Sequence, residues 1–266
     1  MKLSSKILIS MLVLLIAAIF SSNVILKKEY NKVDKSDLYW TYQKVLQQPF
    51  KYLKIKGGNI TNIAFEQSHE CSVRILKEWA RYHGGSINAM VNNDTLFIDF
   101  TFVPHDTFEK YWLKQVTSVR IFSPQLLSIE GFDTKLEMYK MKQNSYSVSM
   151  AGKSGFEVES MQQDFDSLVI SQSDSSEVIF EMSPEYKLPL RETAVESNNS
   201  NMSFGQKTSA LVKSKEAMTV QSLIATIKGN SLLDIGHAQI GSLQLTIADS
   251  SGILLSGGAL KKVNKP

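Results

Sequence analysis

Cysteine is nearly absent from this chain. Cys71 is the only one among 266 residues, so no intramolecular disulfide can form. That excludes a small scaffold knotted by disulfides, but not an oxidising compartment, since a domain of this size is stable without cross-links. An excess of one charge is also lacking: Lys and Arg total 29, Asp and Glu total 26, and the formal balance is +3. An imbalance this small does not point to nucleic acid, whose binding needs a strongly basic face. No Gly-x-Ser-x-Gly turn offers a nucleophile, and sequence spacing gives Cys71 no histidine base.

Metal chemistry is equally thin. His69-Glu70-Cys71 resembles a ligand cluster. On a strand, His69 and Cys71 share one face and Glu70 takes the other, which leaves at most two ligands where zinc usually takes three or four. His83, His105 and His237 have no ligand-like spacing. Gly57-Gly58 and Gly257-Gly258 open no convincing helix, so they read as turns and not phosphate loops. Lys27-Lys28 and Lys261-Lys262 read as solvated ends. The sequence therefore assigns no catalytic, cofactor-binding or metal residue.

What is present is apolar patterning. Hydrophobic residues make up 43% and charged residues 21%, enough to bury a core and unlike a disordered chain. Lys2 and Lys6 precede Ile7–Phe20, ILISMLVLLIAAIF, the layout of an export signal. The uncharged stretch continues to Leu26, 20 residues from Ile7. At about 1.5 Å per residue it is roughly 30 Å long, one hydrocarbon thickness. A cleaved signal, with Ser21 and Ser22 at the site, and an uncleaved anchor both fit. The missing A-x-A site favours the anchor, and so a body held outside the cytoplasm with the membrane as partner through Ile7–Leu26. Residues 27–49 read as a stalk; its aromatics at Tyr39–Tyr42 suit either the headgroup layer or a short helix on the domain.

From Phe50 the chain reads as strands: FKYLKIKG, NITNIAFEQ, CSVRILKE, SINAMV and TLFIDFTFV, separated by Gly, Asn and Asp. SVRI occurs twice, at Ser72–Ile75 and Ser118–Ile121. Asp106-Thr-Phe-Glu109 resembles a capping box and predicts a short helix over FEKYWLKQ. The carboxy-terminal half repeats. Ser222–Ile235 aligns without gaps on Ser242–Leu255, 20 residues on. Ser167–Phe180 matches both, with Asp174-Ser175-Ser176 on Asp249-Ser250-Ser251. Ser147–Ser160 extends the series by a further 20 residues upstream, placing Val148 and Met150 under Leu168 and Ile170, and Leu126–Met138 is a degenerate copy. A period near 20 with alternating apolar residues predicts stacked units. The expected fold is all-β, a parallel β-helix or β-solenoid of ~20-residue coils over residues 50–260. A polar insert falls near 193–208, a tail at 261–266, and a membrane or signal helix at the start. An antiparallel sandwich is the alternative. Asp174 and Asp249, at equivalent corners, read as turn residues before catalytic carboxylates.

FKYLKIKGGNITNIAFEQSHECSVRI, DTLFIDF and the closing SSGILLSGG resemble the GIN-type family of auto-transporter adhesin head domains over about Phe50–Leu260. The resemblance implies a right-handed β-helix in a bacterial envelope protein and carries no catalytic residues. The central insert and the EKYWLKQ segment depart from it. The functional expectation is a non-catalytic surface module for a glycan or protein ligand; the alternative is a β-helical polysaccharide lyase or hydrolase.

Overall fold

The computed structural model describes residues 3–32, 34, 36–82, 86–101, 116–139, 143–159, 164–181, 219–236 and 238–255. The expected helix at Asp106–Gln115 and the insert at 193–208 lie outside them. So do His83, His105, His237, Gly257-Gly258 and Lys261-Lys262.

The first unit is dominated by α1 (Leu3–Tyr30). Leucine, isoleucine and alanine favour the helix, and neither Gly nor Pro interrupts it. Ser10 and Ser21 donate back to the carbonyls of Ile7 and Ala17 at 2.9 and 2.8 Å, so their hydroxyls need no outside acceptor. Lys27 and Lys28 sit in the last turn, where the helix dipole favours cations. Residues 27–30, expected to begin a stalk, continue the helix.

The second unit is built from strands in two mixed sheets, neither of which is closed. Sheet I holds β1 (Tyr42–Leu46), β3 (Asn62–Gln67), β4 (Ser72–Leu76), β7 (Thr117–Ser123), β9 (Lys135–Tyr139), β11 (Gly155–Glu159), β13 (Glu177–Glu181), β15 (Leu232–Asp234) and β17 (Gly252–Leu254). Its order is β1-β4-β7-β3-β9-β11-β13-β15-β17. Sheet II holds β2 (Tyr52–Lys56), β5 (Ile87–Asn92), β6 (Thr95–Phe100), β8 (Ser128–Phe132), β10 (Ser145–Ala151), β12 (Asp164–Gln172), β14 (Thr219–Ile227) and β16 (Gln239–Ile247). Its order is β16-β14-β12-β10-β8-β2-β6-β5. From β7 onward the strands alternate between the sheets, and each pairs in parallel with the strand two places along in the chain, apart from the β7–β3–β9 stretch.

Parallel pairing stacks like upon like. In sheet II one inward row runs Leu96, Leu53, Ile129, Val148, Ile170, Ala225, Leu245. In sheet I the matching row runs Val119, Ile63, Leu136, Phe156, Val178, Leu233, Ile253. Both rows join one core. The expected step from Ser222 to Ser242 is the observed register, and so is Ser167 against Ser222. The step upstream is not 20: Ser145, not Ser147, pairs with Ser167, and Val148 stacks on Ile170 and not on Leu168. A slip of two residues keeps every side chain on its own face, so apolar alternation alone could not detect it.

Two further features differ from the sequence reading. CSVRILKE is not all strand: Lys77–Tyr82 forms α2, with Trp79 fully buried. The two SVRI copies are not equivalent rungs; they pair antiparallel, Val73 against Ile121 and Ile75 against Val119.

The corners are held by polar ladders. Thr134, Ser154, Ser176 and Ser231 occupy the position just before β9, β11, β13 and β15, and all are buried. Ser154 Oγ accepts from Thr134 N–H at 3.2 Å and donates to Ala151 O at 2.5 Å. Ser176 Oγ donates to Met150 O at 3.2 Å and lies 3.2 Å from Ser231 Oγ, which itself donates to Lys228 O at 2.8 Å. Gln172, buried in an otherwise apolar row, donates to the carbonyls of Ser176 and Leu232 at 3.1 and 2.9 Å. Opposite the hydroxyls run Asp133 (φ 50°), Gly152 (φ 69°), Asp174 (φ 65°) and Gly229 (φ 67°), all in the left-handed region. A Cβ on Gly229 would stand 2.5 Å from Asp174 O.

The core includes one unpaired phenol. Tyr146 stacks edge-on against Phe165 at 5.9 Å, and its hydroxyl is buried without a hydrogen-bond partner. Burial pushes its pKa well above the usual tyrosine range.

Leu223 is 1% exposed, whereas its stacked partner Leu243 in the last rung is only partly buried. Leu223→Asp should therefore cost several kcal/mol, and Leu243→Asp less, although both face inward. Gln244→Asp, facing out, should stay within about 0.5 kcal/mol. Denaturant melts read all three; equal losses for Leu243→Asp and Gln244→Asp would refute the facing. Gly229→Ala should destabilise more than Gly236→Ala. Both have positive φ, but a Cβ at Gly236 meets nothing closer than Phe180 O at 3.5 Å.

Candidate functional site

Alternation that sends Leu53 and Ile55 into the core turns Tyr52, Lys54 and Lys56 outward on β2. The neighbours of β2 are β6 and β8, which add Phe97 and Asp99 on one side and Glu130 and Phe132 on the other. Two outward rows result: Phe97, Lys54, Glu130, Ser149 and Asp99, Lys56, Phe132, Ala151. They line an open groove of about 340 Å³, floored by Ile55 and Gly131. Gly131 is required there, since a Cβ would come within 2.6 Å of Met150 Sδ and Thr134 Cγ2.

Lys54 Nζ meets Glu130 Oε2 at 2.8 Å, with both side chains nearly half exposed. Such a pair contributes at most about 1 kcal/mol to stability. Phe132 is 48% exposed. A phenyl face beside ammonium and carboxylate groups can stack on an apolar ring face while the charged groups bond to hydroxyls or amides.

Beyond the groove the face changes. The outward rows Ser145, Ser167, Ser222, Ser242 and Ser149, Ser171, Thr226, Thr246 are hydroxyls. Between them lie Ser147, Val169, Ile224 and Gln244. None of these twelve positions carries a charge, and the strands repeat at about 4.8 Å.

Residues weighed from the sequence fall elsewhere. His69 and Glu70 are exposed ahead of β4; Cys71 is half-buried with its Sγ 3.6 Å from Ser123 Oγ. Among the described residues no three metal-ligating side chains converge. Asp174 is a corner residue whose carboxylate accepts from Gly152 N–H at 3.0 Å and from Ser173 Oγ at 3.3 Å. Gly57 and Gly58 form a positive-φ turn against Phe100. Sequence reasoning singled out none of Lys54, Lys56, Phe97, Asp99, Glu130 or Phe132. Alternation could have placed each outward, but not have shown that β6 and β8 flank β2.

No protein-family model matches the chain, and no curated protein matches it by sequence. Several solved structures are similar. A "putative adhesin" from Bacteroides fragilis NCTC 9343 is 12% identical, with TM-score 0.36, over 81% of this chain and 96% of the other. A "putative lipid binding protein" from Parabacteroides distasonis ATCC 8503 is 12% identical, with TM-score 0.32, over 81% and 94%. A "putative adhesin" from Parabacteroides merdae ATCC 43184 is 11% identical, with TM-score 0.33, over 81% and 95%. Likeness at this level assigns the chain to no family.

Asp174→Asn should be nearly neutral, because Asn tolerates positive φ and keeps an acceptor for Gly152 N–H. Asp174→Ala should cost about 1–3 kcal/mol. Equal stabilities in thermal melts would show that the carboxylate does not hold the corner.

Proposed function

We propose that this chain is a non-catalytic envelope module, held to a membrane by Ile7–Leu26, whose strands wind as a β-solenoid of the GIN type and whose sheet II face binds a glycan. The exposed apolar helix carries the reading. The most apolar 18-residue stretch of Lys6–Tyr30 has a mean hydropathy of 2.4, and none of it is buried in the protein. Twenty uncharged residues left in water would be strongly unfavourable, and a bilayer is the medium that matches their length. The alternation of parallel strands between two sheets supports the winding. The aromatic groove and the adjoining uncharged hydroxyl rows support a glycan over a charged partner.

The native protein should resist extraction by high salt or alkaline wash. Recovery of a soluble chain beginning near residue 22 would show a cleaved signal instead. On an array of envelope and host polysaccharides, a Phe97→Ala/Phe132→Ala double variant should bind about tenfold more weakly, a change of about 1.4 kcal/mol, with an unchanged melting temperature. Binding untouched by that variant would remove the groove from the reading. Glycan cleavage lost in Asp99→Asn or Glu130→Gln would overturn the non-catalytic assignment.

A further inference from the structure

Just after α1 the chain folds into a short built turn. Asp34 Oδ1 accepts from Ser36 N–H at 2.9 Å and from Ser36 Oγ at 2.6 Å. Asp37 Oδ1 accepts from Tyr39 N–H at 2.9 Å, while the Asp37 carbonyl accepts from Trp40 N–H at 3.2 Å. Tyr42 N–H donates to Tyr39 O at 2.8 Å, and the two tyrosine rings meet edge to face at 6.2 Å. These Asx turns bring the two tyrosines together and leave Leu38 and Trp40, on either side of Tyr39, facing out. Leu38 is 88% exposed and Trp40 is 47% exposed.

We propose that Leu38 and Trp40 form a second membrane contact, inserted at the boundary between headgroups and acyl chains. This rests on reading α1 as a span. Continuity with that span favours lipid. Leu38 is eight residues beyond Tyr30, so a fully extended chain would hold it within about 28 Å of the helix end, and the turns shorten that reach. Tyr30, 60% exposed, ends the helix. Lys27, Lys28 and Lys32 lie between the apolar stretch and the turn, where headgroup phosphates would meet them. Tryptophan prefers that interface because its indole has an apolar body and one N–H to leave wet. A leucine held almost fully exposed in an ordered turn gains most from the apolar medium nearest to it.

The test uses the full chain reconstituted in phosphatidylcholine vesicles, some containing phosphatidylcholine brominated near the top of the acyl chain. The emission of Trp40 is taken as the difference between the parent and Trp40→Phe, which removes the contributions of Trp79 and Trp112. The brominated lipid should abolish most of that difference, and Leu38→Ser should restore part of it. If the protein floats with the vesicles but the Trp40 signal is unquenched, the second contact is wrong and the span stands. If the protein does not float, both readings fall. A Trp40 signal that ignores bromine but shifts to the blue as protein density rises would assign the surface to a second copy of the chain, and would overturn the lipid contact.

Discussion

The body of this protein depends on stacking like residues across parallel strands. Each inward side chain is covered by the equivalent residue of the next rung, so burial is most complete where a rung has neighbours on both sides. Leu53, Ile129, Val148 and Ile170 meet that condition and are almost fully buried. Leu243 and Leu245, in the last described rung of sheet II, do not, and remain partly open. The same residue type at the same register position thus has a different energetic weight according to its place in the stack.

Stacking of this kind forces the corners to repeat as well. A chain that turns at each rung brings backbone N–H and carbonyl groups into the interior, where water cannot reach them. Ser154, Ser176 and Ser231 supply short hydroxyls that bond at that point, and Gln172 reaches two further carbonyls. On the outer side of the corner, Asp133 and Asp174 alternate with Gly152 and Gly229. Positive φ is tolerated by both residue types, but adjacent rungs are too close for a Cβ at the glycines. Polar corners and apolar rows are therefore two consequences of one geometry.

The alternation that fills the core also decides what is shown to solvent. On sheet II the outward positions change from lysine, carboxylate and phenylalanine around β2 to serine and threonine from β10 onward. Neither half is needed for burial, and this leaves the outer face open to recognition. The helix α1 obeys the opposite rule. The large apolar side chains along it from Ile7 to Leu26 are all exposed.

Much of this was legible in the sequence, for physical reasons. Twenty uncharged residues with neither Gly nor Pro favour one continuous apolar helix, so Ile7–Leu26 could be read directly as such. Period-two alternation marked β2, β3 and β6, and a gapless repeat of strand and turn gave the true register of Ser222 on Ser242. Other features required the tertiary structure. Sequence order implies that the β2–β3 rung comes first, yet it lies between β6–β7 and β8–β9. The antiparallel pairing of the SVRI segments and the helix around Trp79 break the parallel pattern beyond β7. The two-residue error upstream of Ser167 was invisible because it preserved inside and outside. The groove itself depends on which strands are neighbours. Inward and outward are local properties of a strand, carried by its own residues, whereas adjacency is decided only when distant strands compete to cover the same apolar row.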